Sequence, residues 1–153
     1  SASPTFTRIA EAIQRHGISP EIEFFDTGMV HTAMRLVDEG LLELPAHFDF
    51  VLGVPGGMGA RRDSIDYLAE LIPEGSTWSV AGVGKYEFPM AEHALEMGGH
   101  VRVGLEDNVY LEKGVLAEGS WQLVDRVSSM AEAVGRKVAD PSTARDLLGL
   151  PST

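Results

Sequence analysis

Cysteine is absent from the 153 residues, which excludes disulfides and thiolate metal sites and fits a reducing, cytoplasmic setting. Basic residues are scarce: 12 Lys and Arg stand against 23 Asp and Glu, a formal net charge of -11. A field of that sign repels phosphate backbones and anionic lipid, so neither nucleic acid nor a membrane surface is an expected partner. No apolar run approaches the roughly 20 residues needed to span a bilayer. Ser1-Ala2-Ser3-Pro4 lacks the basic-then-apolar pattern of a secretory leader, and the chain begins without Met, as a processed or excised chain would.

What is present is an alternation of helix-like and strand-like segments. Phe6, Ile9, Ala10 and Ile13 recur at helical spacing between Ser3-Pro4 and Gly17. Glu21 to Asp26 reads as a first strand, followed by a helix with Val30, Ala33, Met34 and Val37 on one face and Gly40 beyond its end. Phe48 to Val54 is a second strand, and the turn Pro55-Gly56-Gly57-Met58-Gly59 leads to a helix carrying Ile65, Leu68, Ala69 and Ile72. Thr77 to Val83 is a third strand, ending in Gly84-Lys85 before a helix near Pro89 to Met97. His100 to Glu106 is a fourth. After a loop, Leu123, Val127, Met130, Val134 and Val138 predict a long helix, and the Pro141 to Leu150 segment a short cap with a frayed Pro-Ser-Thr end.

Strand starts about 25 to 30 residues apart are the size of a βα unit. A leading helix followed by four βα units fits either an open doubly wound sheet or part of an eight-stranded βα barrel. The strand ends separate the two. Glu23 and Asp26, Gly53 to Gly57, Gly82 and Gly84, then Glu106 and Asp107 put polar or glycine residues at every C-terminal end. Barrels gather ligand-binding groups from several strands on that shared face, whereas open sheets concentrate them at one switch point. The expectation is therefore an α/β fold: the C-terminal half of a (βα)8 TIM barrel, with residues 1–153 one half-barrel domain. A whole barrel takes about 250 residues, so the N-terminal half would lie outside this chain.

Gly98-Gly99-His100-Val101-Arg102-Val103-Gly104-Leu105-Glu106-Asp107 carries the densest chemistry. In an extended strand Arg102, Gly104 and Glu106 share a face, so Arg102 and Glu106 would point inward while Asp107 leans over the mouth. Arginine grips carboxylates, glutamate is a hard ligand for a cation, and a nearby aspartate free of metal can act as a general base. An internal Arg102–Glu106 ion pair that only shapes the fold is the alternative. Glu21 and Glu23 share the inward face of the first strand; Glu23, nearer the mouth, is the candidate for orienting substrate, and Glu21 belongs to the solvated end.

Two glycine turns remain. Gly56 and Gly57 are candidate substrate contacts, and Gly82 and Gly84 candidate contacts to a phosphate-bearing cosubstrate, since backbone N–H groups at such turns can approach an anion. Neither matches a P-loop or a dinucleotide fingerprint. His16, His31, His47, His93 and His100 include no His-x-His or His-x-x-x-His pair, so a complete metal site is not expected within the chain. Trp78, Met34 and Met130 are expected in the core.

The run Gly98 to Asn108, with Tyr110 and Lys113-Gly114 after it, resembles the signature of the β-keto acid cleavage enzyme family. Pro20-Glu21-Ile22-Glu23 with Asp26, Gly53-Val54-Pro55-Gly56-Gly57, Trp78-Ser79-Val80-Ala81-Gly82 and Ala144-Arg145-Asp146-Leu147-Leu148-Gly149-Leu150 add to the resemblance, which spans essentially the whole chain. The resemblance implies a βα barrel with a divalent metal, usually Zn2+, that converts a β-keto acid and acetyl-CoA into acetoacetate and a new CoA thioester. It implies metal ligation by Glu106, base catalysis by Asp107, and substrate support from Arg102 and Glu23. The family's other metal ligands, a His-x-His pair on an early strand, have no counterpart here and would come from the absent half. Lys85-Tyr86-Glu87-Phe88 departs from the more polar or basic character expected beside CoA. A homo-oligomer, or pairing with an N-terminal half-barrel or a second copy, is the expected assembly. A non-catalytic self-associating half-barrel and an unrelated phosphate-binding barrel lyase are the competing readings.

Overall fold

The computed structural model describes residues 3–151; Ser1, Ala2, Ser152 and Thr153, which include the ends read above as leaderless and frayed, lie outside the described residues. Helix α1 (Pro4–Arg15) opens with proline in its first turn, where the missing N–H has no intrahelical acceptor to satisfy. Strand β1 (Glu21–Phe24) follows. Helix α2 (Thr27–Asp38) is capped by Asp26, whose carboxylate accepts from the Met29 N–H at 3.1 Å, so Asp26 serves the helix rather than the strand end.

The order continues with β2 (His47–Leu52), α3 (Arg62–Leu71), β3 (Thr77–Gly82), a 3-10 turn at Gly84–Tyr86, α4 (Glu87–Glu96) and β4 (His100–Val101). These four strands form one sheet in the order β1-β2-β3-β4, every neighbouring pair parallel. Chain order and spatial order coincide, so this sheet contains no switch point.

Strand parity divides the sheet into two unlike faces. Ile22, Phe24, Phe48, Phe50, Leu52, Trp78 and Val80 point one way and join Val30 and Ala33 of α2, Ile65 and Leu68 of α3, and Met90 and Ala94 of α4 in a single apolar cluster. Phe24 stacks on Phe48 at 5.4 Å, and Phe50 on Trp78 at 5.4 Å between ring centroids. Burying each of the three phenylalanine rings stabilises the fold by about 1.5–3 kcal/mol. The opposite face carries Glu21, Glu23, His47, Asp49, Thr77, Ser79 and His100, in rows set by the pairings Glu23–Asp49–Ser79–His100 and Glu21–His47–Thr77. α2, α3 and α4 thus cover the apolar face together, whereas a doubly wound sheet distributes its helices over both.

Three sequence expectations need correction. The fourth strand ends at Val101 instead of reaching Glu106, because the chain turns at Gly104: the N–H groups of Asp107 and Asn108 both donate to the Gly104 carbonyl, at 3.0 and 3.1 Å. The expected loop beyond it contains an antiparallel hairpin, β5 (Tyr110–Glu112) and β6 (Val115–Leu116). The long helix predicted through Val138 is α5 (Ser120–Ala133), ended by Gly135 in a left-handed conformation. Helix α6 (Pro141–Leu147) closes the chain with an Asp140 cap on the Thr143 N–H.

α1 buries none of its residues, and Phe6 and Ile9 on its apolar stripe are more than half exposed. Among the described residues, the outer strands β1 and β4 each lack a neighbour on one side. No described helix is long and apolar enough to cross a membrane.

Candidate active site

Arg102 follows β4 directly, and its N–H still donates to the Val80 carbonyl at 3.0 Å, so its side chain stands on the polar face. Its guanidinium meets four carboxylates: Asp49 at 2.9 Å, Glu23 at 3.2 Å, Asp107 at 3.3 Å and Glu106 at 3.7 Å. One terminal nitrogen serves Asp49 and Glu23 while the other faces Asp107 and Glu106. β1, β2 and the turn after β4 are therefore tied at one point. Burial works against the charged guanidinium, but Asp49, Asp107 and Glu23 outweigh it and hold Arg102 protonated well above the ordinary arginine range.

The two acids that follow Arg102 occupy positions opposite to those their spacing suggests. Glu106 faces outward with its side chain 88% exposed, whereas the Asp107 side chain is 6% exposed and packs inward against Arg102. The early turn at Gly104 exchanges them, since strand parity no longer applies beyond it. Burial raises the Asp107 carboxyl above the usual range; Arg102 opposes the rise, and Glu106, Asp49 and Glu23 add to it. A carboxylate made more basic yet held in hydrogen-bond reach of a guanidinium suits proton abstraction.

Four supporting residues, Asp49, Ser79, His47 and Glu87, were given no role in the site by the sequence. Asp49 is fully buried, and its second oxygen accepts from the Ser79 hydroxyl at 2.6 Å. Behind Ser79, His47 sits 3.2 Å from the same hydroxyl and 2.8 Å from Thr77 Oγ1. Glu87, at the start of α4, is 1% exposed and accepts from the Gly104 N–H at 3.0 Å and from the Asn108 amide at 2.8 Å. That pair of bonds clamps the turn bearing Glu106 and Asp107 to α4. Burial pushes the Glu87 carboxyl up, against the pull of its bonds from Asn108 and Gly104. The available signal was an acid inside an apolar run, Phe48-Asp49-Phe50, since a buried charge needs a partner.

Glu23 joins the cluster and Glu21 does not: Glu21 lies at the exposed N-terminal end of β1, 3.8 Å from His47. The glycine turns border the same end of the sheet. Gly57 leaves room for the end of β1, because a Cβ there would sit 2.8 Å from the Phe25 carbonyl, to which the Met58 N–H donates at 2.7 Å. At Gly82 a Cβ would lie 2.3 Å from the Tyr86 carbonyl, so glycine lets the 3-10 turn fold back over β3. The Gly84 N–H donates to the Asp107 carbonyl at 2.7 Å, joining the second turn to the candidate base, and Gly56 lies in the first turn with positive φ. Among the described residues no group of three or more His, Cys, Asp or Glu is arranged to hold a metal ion. Glu106 presents an exposed carboxylate whose contact to Arg102 is loose, which leaves its oxygens open to a cation supplied with further ligands.

Comparison with known proteins matches the chain to a family. The family model described as beta-keto acid cleavage enzyme matches residues 1–150. The chain is 49% identical over 146 residues to a 3-keto-5-aminohexanoate cleavage enzyme of Fusobacterium nucleatum, covering 95% of this chain and 53% of that protein. A protein of the same name from Acetoanaerobium sticklandii is 46% identical, over 89% of this chain and 50% of its own length. A 3-oxoadipate:acetyl-CoA acetyltransferase of Cupriavidus necator is 40% identical, over 94% of this chain and 52% of its own. The chain thus spans about half the length of the curated relatives it matches.

Proposed function

The chain belongs to the beta-keto acid cleavage enzyme family, and on that premise we propose that it forms the C-terminal half of a (βα)8 barrel, residues 1–153 acting as one half-barrel domain. The barrel cleaves a β-keto acid with acetyl-CoA, releasing acetoacetate and the acyl-CoA of the remaining fragment. One observation carries the reading: a single guanidinium gathers acids from β1, β2 and the turn after β4 at the C-terminal end of a parallel sheet whose helices α2, α3 and α4 cover one face. The printed names of relatives support the chemistry, because several describe acetyl-CoA-dependent transfer from keto acids.

Each residue then has a task. Asp107 takes a proton from the carbon between the substrate's two carbonyl groups: the C–H bond breaks, the proton goes to the carboxylate and the electron pair stays on carbon. Its raised basicity favours that transfer, and water exclusion around its side chain keeps the transferred proton in place. Arg102 holds Asp107 in position and offers positive charge to the oxygen on which the carbanion delocalises. Glu23 orients a polar group of the substrate, with Gly56 and Gly57 allowing close backbone approach. The turn at Gly82 and Gly84 borders acetyl-CoA, a reading that rests on its nearness to Asp107, whose carbonyl already takes the Gly84 N–H.

Glu106 is one ligand of a divalent metal, Zn2+ by family resemblance, with the remaining ligands from the half outside this chain. The metal would supply Lewis-acid polarisation of a substrate carbonyl. The completing half packs against the stripe of α1 and the edges of β1 and β4, a reading supported by the exposure of that stripe and by the absence of a neighbouring strand at those edges among the described residues. The same uncovered surfaces suit a second copy of this chain, giving a self-associated half-barrel without activity. Complete enzyme incubated with a panel of β-keto acids and acetyl-CoA should form acetoacetate, and chelation should abolish it. Absence of acetoacetate with every keto acid would reject the first reading.

A further inference from the structure

Asp49 stands apart from the other acids around Arg102. It projects from the middle of β2, is fully buried and lies nearer the guanidinium than any of its companions, at 2.9 Å. A carboxylate so enclosed cannot meet substrate, and a buried anion is tolerated only when its oxygens are satisfied. Both are: one oxygen takes the guanidinium, the other the Ser79 hydroxyl at 2.6 Å, and Ser79 is held from behind by His47 at 3.2 Å. These contacts form a polar file across neighbouring strands, His47 on β2, Ser79 on β3, Asp49 on β2, ending on Arg102.

Arg102 needs such an anchor. It sits one residue past the end of β4, where the bond from its N–H to Val80 fixes the backbone but not the long side chain, and Glu23 and Glu106, two of its other three acid partners, are the more exposed ones. A guanidinium held only by them would follow their motion. Pinned by Asp49 through one terminal nitrogen, it presents the other to Asp107 in a fixed plane.

We propose that Asp49 is a positioning residue, a buried anchor that orients Arg102 toward Asp107 and is itself aligned by Ser79 and His47. The proposal rests on the reaction assigned above and adds a residue that touches neither substrate nor metal. Displacing Arg102 by about 1 Å would cost on the order of 100-fold in rate.

The test uses the complete enzyme and three variants: Asp49→Asn, Arg102→Gln and the double. Asp49→Asn should lower kcat about 100-fold with KM within roughly threefold. Because Asp49 acts through Arg102, the double variant should be no slower than Arg102→Gln alone. Independent, multiplying losses would overturn the proposal, as would an unchanged kcat in Asp49→Asn. A second readout needs no turnover: the Arg102 guanidinium protons, observed by NMR in substrate-free enzyme, should show hindered rotation in wild type and lose it in Asp49→Asn. Should Asp49→Asn not fold, Ser79→Ala keeps both charges and removes one bond to Asp49. It should lower kcat roughly fivefold, the weight of one ordinary hydrogen bond, and loosen the same proton signals; no change in either would overturn the proposal. A wild-type enzyme without acetyl-CoA-dependent cleavage would reject the reaction instead, leaving the guanidinium signal to decide the anchoring.

Discussion

Glu106 and Asp107 share a peptide bond but occupy opposite environments, the first open to solvent and the second packed against the Arg102 guanidinium. The proposed division of labour follows from that difference: an exposed oxygen donor can reach a cation, while an enclosed, more basic carboxylate can hold a proton. Asp107→Asn in the complete enzyme is expected to keep its zinc and its thermal stability yet lose about 10²–10⁴-fold in acetoacetate formation, the usual contribution of a general base. Near-wild-type turnover would remove Asp107 from that role.

For Glu106 the expectation is the reverse. Glu106→Gln makes little change to packing, since the side chain is exposed, but it removes a charged ligand from the proposed cation site. Zinc content of the purified variant, measured by atomic absorption, should fall well below one equivalent under dialysis that leaves wild type loaded. Full retention would show that other groups suffice and that the outward position of Glu106 has no ligating purpose.

The order of strands and helices was legible because short strand-like segments alternate with helical repeats at the spacing of βα units, although only β2 and β3 are long apolar runs and β4 is shorter than expected. Arg102, Glu23 and Asp107 were legible as charges near strand ends, and the structure brings all three together. The orientation of Glu106 and Asp107 was not. Strand parity gives a side chain's direction only while the ladder lasts, and the bonds of Glu87 to Gly104 and Asn108 end it early. Asp49 could be flagged as an acid inside an apolar run, but its role could not, because its partner Arg102 is distant in sequence.

Two histidines on the polar face predict how stability responds to acid. Burial lowers the affinity of His47 for protons, with Asp49 partly opposing, and burial together with His47 and Arg136 lowers that of His100. The rings lie 6.2 Å apart between centroids. Each therefore binds a proton less readily in the folded protein than in the unfolded chain, whose histidines titrate near about 6.5. Their contribution is complete above that pH and is lost as pH falls through the depressed folded values. The melting temperature should decline below about pH 6.5, and His47→Gln with His100→Gln should flatten that part of the profile. An identical slope in the double variant would assign the acid sensitivity elsewhere.

Gly99 tests the packing beneath β4. Its backbone φ is not in the left-handed region, so any cost of a side chain there is steric rather than conformational. A Cβ at this position would lie 2.2 Å from the Trp78 ring, which also stacks on Phe50 at 5.4 Å. The indole cannot retreat without disturbing that stack, so Gly99→Ala should destabilise by about 1–3 kcal/mol, as overpacked cores do. For a domain of this size the melting temperature should drop by several degrees, roughly 2–4 °C per kcal/mol. Shortening the ring in Gly99→Ala/Trp78→Leu should recover part of the loss relative to Trp78→Leu alone, because the added methyl then enters space the indole vacated. If the two losses simply add, Trp78 is not what excludes a side chain at Gly99, and the sheet must hold β4 by contacts other than this ring.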